Sequence, residues 1–262
     1  MGMRTLSAAR GEIRVYENPR ELAFEAAKDF ARLADQYVVG LGRFTAVLSG
    51  GSTPRAMFSL LAEEPFSKSL PWASTYLFWG DERAVPPTHS GSNYRMARET
   101  LLSKVPLPAE NIFRIPAELD DRERAAAEYS ETIRQFFSGE AAPGTAPLSA
   151  WPRFDLVLLG MGSDGHTASL FPRTSALKVF DQIAVANYVQ KLNAHRITLS
   201  STTINNARNV TFLVAGEDKA QVLKSVIEGP VDPELYPSQL VQPRSGRLTW
   251  LLDEEAASQL EG

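Results

Sequence analysis

The chain contains no cysteine in its 262 residues. This excludes disulfides, thiolate metal ligands and a cysteine nucleophile, and it fits a reducing compartment. Histidine is scarce too: the three are His89, His166 and His195. They are too scattered for metal-ligand spacing, so no metal is expected. Positive charge is not in excess, because 27 Lys and Arg against 31 Asp and Glu leave a formal charge of −4. That balance argues against a nucleic-acid partner and requires any anion to be held by locally placed cations. No apolar run approaches the ~20 residues of a membrane span. The opening "MGMRTLSAARGEIRVYE" lacks an apolar signal region, and Leu6 stands where a myristoylation start needs Ser or Thr. A cytoplasmic protein is the expectation, a monomer or homodimer, with residues 1–12 as a loose tail.

What is present is an ordinary apolar fraction of 44%, ample for one α/β domain across residues 1–262. Strand-like runs alternate with helical patterns. "NPRELAFEAAKDFARLADQYV" opens with Asn18 as N-cap and Pro19 at the first helical position, and Leu22, Ala26, Phe30, Leu33 and Tyr37 share a face. "FTAVLSG", "TYLFWGDER", "FDLVLLG", "RITLS", "VTFLVAG" and "RLTWLLD" read as short strands. Near-continuous apolar strands point to a mostly parallel, Rossmann-like sheet with helices on both faces, a three-layer sandwich. The low-complexity stretch at 138–152 reads as a surface loop, because the βα rhythm resumes after it.

Ligands of open parallel sheets bind beyond the carboxyl ends of the strands, and four such ends carry unusual chemistry. In "LSGGSTPRAMF", Ser49, Gly50, Gly51, Ser52 and Thr53 suit either a phosphate cradle or a tight turn with a capping hydroxyl. Asp81, Glu82 and Arg83 end an apolar strand, as a structural ion-pair cluster or as functional charge. "LLGMGSDGHTASLFP" matches G-x-G-x-x-G at Gly160, Gly162 and Gly165, with Asp181 where a ribose-binding acid of a dinucleotide site would sit. The same loop carries Asp164 and His166, an acid–base pairing. Lys219 lies in the first turn of a helix, against the dipole, which suits an anionic ligand or simple solvation. Arg196 opens "RITLS" as a further cation or as an edge ion pair, whereas His89 and His195 read as polar surface.

The segments "LSGGSTPRAMFSLL", "FWGDERAVPPTHSGSNYRMARETLL", "FDLVLLGMGSDGHTASLFP" and "RITLSSTTINNARNVTFLVAGEDKAQVL" resemble, in type and order, those of the 6-phosphogluconolactonases. The resemblance implies cofactor-free hydrolysis of 6-phosphoglucono-δ-lactone on a fold shared with glucosamine-6-phosphate deaminases. Those deaminases carry an acid a few residues after the histidine, where this chain has Ser169, Leu170 and Phe171. On this reading the glycine spacing is coincidental and the loop is catalytic. His166 becomes the general base, with Asp164 orienting it. Arg83, with backbone N–H groups near Gly162, faces the oxyanion. Asp81 and Glu82 position Arg83 or substrate hydroxyls, and the phosphate falls to Ser49, Gly50, Gly51, Ser52, Arg196 and Lys219. The rival readings are a glucosamine-6-phosphate deaminase, the nearest, then a non-catalytic sugar-phosphate sensor and an NAD-dependent dehydrogenase.

Overall fold

The computed structural model describes residues 4–8, 10–138 and 151–261. Strands β1 (Arg4–Ala8) and β2 (Gly11–Tyr16) pair antiparallel. Residues 4–8, 11 and 12 therefore belong to a hairpin, not to the loose tail expected there. Backbone pairing of β2 with the last strand gives this segment partners that composition does not reveal.

Helix α1 (Pro19–Leu41) starts as its sequence dictates. The Asn18 side chain accepts from the Arg20 and Glu21 N–H groups, and Gly42, at φ 77°, closes the far end. Then come β3 (Phe44–Leu48), α2 (Ser52–Leu61), α3 (Phe66–Ser69) and β4 (Thr75–Trp79). After Gly80 the chain forms β5 (Asp81–Arg83), α4 (Asn93–Ala97) with a π-helical turn at Arg98–Leu102, β6 (Ile112–Phe113) and α5 (Arg122–Ser138). The second half adds β7 (Leu156–Leu159), β8 (Ala184–Val189), β9 (Ala194–Leu199) and α6 (Ser201–Asn205). It ends with β10 (Asn209–Val214), α7 (Ala220–Ile227) and β11 (Arg247–Asp253). Of the surface loop expected at 138–152, residues 139–150 lie outside the described residues.

The main sheet has eight strands in the order β1-β2-β11-β10-β7-β3-β4-β6, parallel throughout except for the β1–β2 pair. Helices flank it to give the α/β sandwich, with α1 against β2, β3, β10 and β11. Every residue of β3 and of β7 is buried, which is why those strands read as unbroken apolar runs. Across β10 and β11, Phe212 stacks on its register partner Trp250 at 3.8 Å.

One strand assignment changes. "RITLS" does not join the parallel sheet; it lies in β9, at the centre of a separate antiparallel sheet ordered β5-β9-β8. The switch is built at Trp79. The Tyr129 hydroxyl of α5 donates to its carbonyl and accepts from its N–H, each at 2.9 Å. With both polar groups taken by a helix side chain, the β4–β6 ladder stops at Phe78, and Gly80 hands the chain to β5. The Gly80 carbonyl then accepts from the Leu199 N–H at 2.8 Å, which docks β9 beside the carboxyl ends of the parallel strands.

Candidate active site

Three segments meet at these carboxyl ends in a cavity of about 290 Å³: the loop after β7, strand β5, and the β8–β9 hairpin. Its lining includes Asp81, Arg83, Asp164, His166, Lys191 and Arg196. No helix follows directly on the glycines after β7, the next helical turn being the short 3-10 helix Ser175–Lys178, and Asp181 is exposed before β8. A dinucleotide site needs a helix N-terminus at the pyrophosphate, so the glycine spacing has another cause.

That cause is the turn presenting His166. Its carbonyl accepts from the Gly162 N–H, whose own carbonyl accepts from the Gly165 N–H, both at 2.9 Å. Gly165 has φ 78°, where a side chain would be strained. A Cβ on Gly162 would lie 2.1 Å from the His166 ring. Gly162 thus makes room for the imidazole, and its own N–H, among those near Gly162 expected at the oxyanion, is spent inside the turn.

His166 Nδ1 lies 2.5 Å from Asp164 Oδ1, and Lys191 Nζ lies 3.1 Å from Asp164 Oδ2. Burial opposes the Asp164 charge, but the hydrogen bonds from His166 and Lys191 and the nearby imidazole outweigh it. The carboxyl is held well below its ordinary range. An ionised Asp164 makes Nδ1 the donor and leaves Nε2 as the acceptor.

Asp81 is buried and accepts from Ser169 Oγ at 2.6 Å and from Asn93 Nδ2 at 3.4 Å. Glu82 occupies a different place. Its Oε1 accepts from the Arg83 and Asn93 N–H groups and its Oε2 from the Tyr94 N–H, all at 2.8 Å, with Ser92 Oγ at 3.0 Å. Burial pushes this carboxyl up, and the three backbone N–H groups partly offset it. Glu82 therefore ties β5 to the start of α4 and does not line the cavity, which corrects its assignment to substrate.

Arg83 and Arg196 stand directly opposite each other across β5 and β9. Arg83 Nη1 donates to the Gly91 carbonyl at 2.6 Å. The Arg196 guanidinium is pushed down, first by burial and then by the Arg83 charge. Two cations in register are unfavourable unless an anion joins them.

The Ser49–Ser52 loop and Lys219 follow β3 and β10, the neighbours of β7 in the sheet, but neither is among the residues lining the cavity. Gly50 packs so closely on Asn93 that a Cβ would fall 2.0 Å from Oδ1, and Asn93 Nδ2 donates to the Asp81 carbonyl at 3.0 Å. The N-terminus of α2 has no side-chain cap, so the capping hydroxyl considered for Ser52 or Thr53 is absent. Lys219 pairs with Asp218. Of the peripheral histidines, His89 accepts from the Gly91 N–H, and exposed His195 packs on Tyr188.

Lys191 and Ser169 were missed as contributors to the site. Ser169 lies in the loop after β7 and Lys191 just before β9, but contact across the cavity cannot be read from spacing. Among the described residues no group of three or more His, Cys, Asp or Glu could hold a metal, and no helix is long and apolar enough to cross a membrane.

Comparison with known proteins adds to this geometry. Residues 17–250 match the family described as glucosamine-6-phosphate isomerases/6-phosphogluconolactonase. The chain is 40% identical over 256 residues to "Probable 6-phosphogluconolactonase 1" of Arabidopsis thaliana, covering 96% of this chain and 94% of that one. It is 43% identical over 220 residues to the 6-phosphogluconolactonase of a Synechocystis strain, covering 84% and 85%. Among solved structures, the 6-phosphogluconolactonase of Trypanosoma cruzi superposes with a TM-score of 0.84 at 30% identity, over 99% of this chain and all of that one.

Proposed function

We propose that this chain, which belongs to the glucosamine-6-phosphate isomerase/6-phosphogluconolactonase family, hydrolyses 6-phospho-D-glucono-1,5-lactone to 6-phospho-D-gluconate. This is the lactone step of the oxidative pentose phosphate pathway, carried out in the cytoplasm. One observation carries the reading: an imidazole braced by an ionised carboxylate shares a small cavity with two arginines in register.

In this mechanism His166 Nε2 takes a proton from water as the water oxygen attacks C1. The tetrahedral intermediate collapses with cleavage of the C1–ring-oxygen bond, and the imidazolium returns the proton to the departing oxygen. Asp164 holds the tautomer and stabilises the imidazolium. Asp81, fixed by Ser169 and Asn93, meets substrate hydroxyls. The negative charge of the phosphate relieves the repulsion between Arg83 and Arg196. That revises the oxyanion role first read for Arg83. The Ser49–Ser52 loop and Lys219, which follow the strands flanking β7, complete the phosphate end.

The test is hydrolysis of freshly prepared 6-phosphogluconolactone, measured against its spontaneous decay. The protein accelerates it, and His166→Asn removes nearly all of the acceleration, as loss of a general base worth ~10²–10⁴-fold requires. Retention of more than about a tenth of the wild-type rate by that variant overturns the role of His166.

A further inference from the structure

The His166 ring is stacked on the ring of Phe171, with centroids 4.0 Å apart and planes within 17° of each other. Local backbone geometry produces this contact. Ala168 adopts φ 47°, and Thr167 and Leu170 pair as an isolated bridge, so the chain doubles back and lays Phe171 against the imidazole. Ser169, inside the same fold-back, is tied to Asp81 by its hydroxyl and to Thr198 Oγ1 by its N–H. A non-glycine residue in the left-handed region costs free energy, and it persists where the surroundings over-determine it. Here they do so beside the reacting group.

The hydrogen bond to Asp164 acts at a single atom, Nδ1. Taken alone it leaves the imidazole free to rock about the Nδ1···Oδ1 line, and a base must keep Nε2 within hydrogen-bond reach of the water it deprotonates. A parallel ring removes that freedom, because offset stacking favours one interplanar arrangement. The π-face also attracts the imidazolium formed during proton transfer. Phe171 is 8% exposed and lines both the catalytic cavity and an adjoining groove of about 790 Å³ bounded by Arg173, Tyr188 and Tyr236. Its ring is a shared wall as well as a platform.

We propose that Phe171 is a positioning residue of this active site, the platform that holds the His166 imidazole in the plane from which Nε2 meets water. The proposal rests on the reading of His166 as the base. Phe171→Leu keeps apolar bulk and removes the ring; Phe171→Tyr keeps the ring. In hydrolysis of 6-phosphogluconolactone, Phe171→Leu lowers kcat by between about ten- and 10²-fold, the range that a small misplacement of a reacting group produces. KM changes by less than about twofold, and Phe171→Tyr restores most of kcat. In proton NMR, the His166 ring signals, assigned by their absence in His166→Asn, are displaced by the Phe171 ring current in wild type and in Phe171→Tyr. They return to ordinary positions in Phe171→Leu, while His89 and His195 do not move. If Phe171→Leu does not fold, Phe171→Met takes its place in both measurements. Wild-type kcat in the ringless variant, an equal fall in the leucine and tyrosine variants, or a raised KM with kcat intact each overturns the proposal. If His166 is not the base, His166→Asn retains activity although the wild-type protein shows the ring-current displacement, so the two failures are told apart.

Discussion

Arg83 and Arg196 carry like charges on opposed positions of neighbouring strands, with Lys191 lining the same cavity. An anion placed between them gains charge-assisted hydrogen bonds worth about 1.5–3 kcal/mol each, or roughly ten- to a hundredfold in affinity. Arg83→Met and Arg196→Met should each raise KM for the phosphorylated lactone by about that factor. Unphosphorylated gluconolactone, which offers no dianion, should be turned over by both variants much as by wild type. Paired rates on the two substrates decide the matter. A fall in kcat on both substrates in Arg83→Met would return that residue to the oxyanion. Asp164 illustrates how far single residues were legible: the Asp-x-His spacing announced an acid–base loop, and the carboxylate does meet the imidazole. Glu82, its neighbour in chemistry, was left open between a structural and a substrate role. A charged residue after an apolar strand looks alike whether it faces a ligand or a helix terminus.

Among the elements, β5 with α4 decides what Glu82 does. Its carboxylate accepts from three backbone N–H groups and one hydroxyl, and so clamps the 92–94 turn onto β5. Glu82→Ala orphans these buried donors, which costs about 1–3 kcal/mol for a typical unsatisfied group and more where a charge partner is lost. We expect urea unfolding to show a loss of about 3 kcal/mol, with KM of the folded protein near wild type. Unchanged stability with a raised KM would put Glu82 back among the substrate ligands. The element pattern itself was readable where periodicity and caps agree, as in α1 between Asn18 and Gly42. It failed at β9, because burial of Ile197, Thr198 and Leu199 imposes the same apolar run on a small antiparallel sheet as on a parallel one.

For the whole molecule, the order of strands places β1 at one edge, separated from the His166 loop after β7 by β2, β11 and β10. Deleting residues 1–9 uncovers the β2 edge, which invites pairing between copies. The thermal midpoint should drop by about 2–4 °C for each kcal/mol lost, light scattering should rise, and kcat should stay unchanged. A fall in kcat at a temperature where the truncated protein remains folded would show that the hairpin reaches the site. The amino-acid sequence by itself determined the α/β alternation, the capped start of α1, the exclusion of thiol chemistry and the pairing of Asp164 with His166 in "GSDGH". Each depends on residue type and short spacing, which local sterics and hydrogen bonding translate directly into structure. Only the tertiary structure decided that Arg83 faces Arg196, that Lys191 reaches Asp164, that Glu82 turns to α4 and that Phe171 lies on His166. Those contacts join separate strands, or loop positions brought together by a backbone reversal, and their partners are chosen by packing that no local pattern encodes.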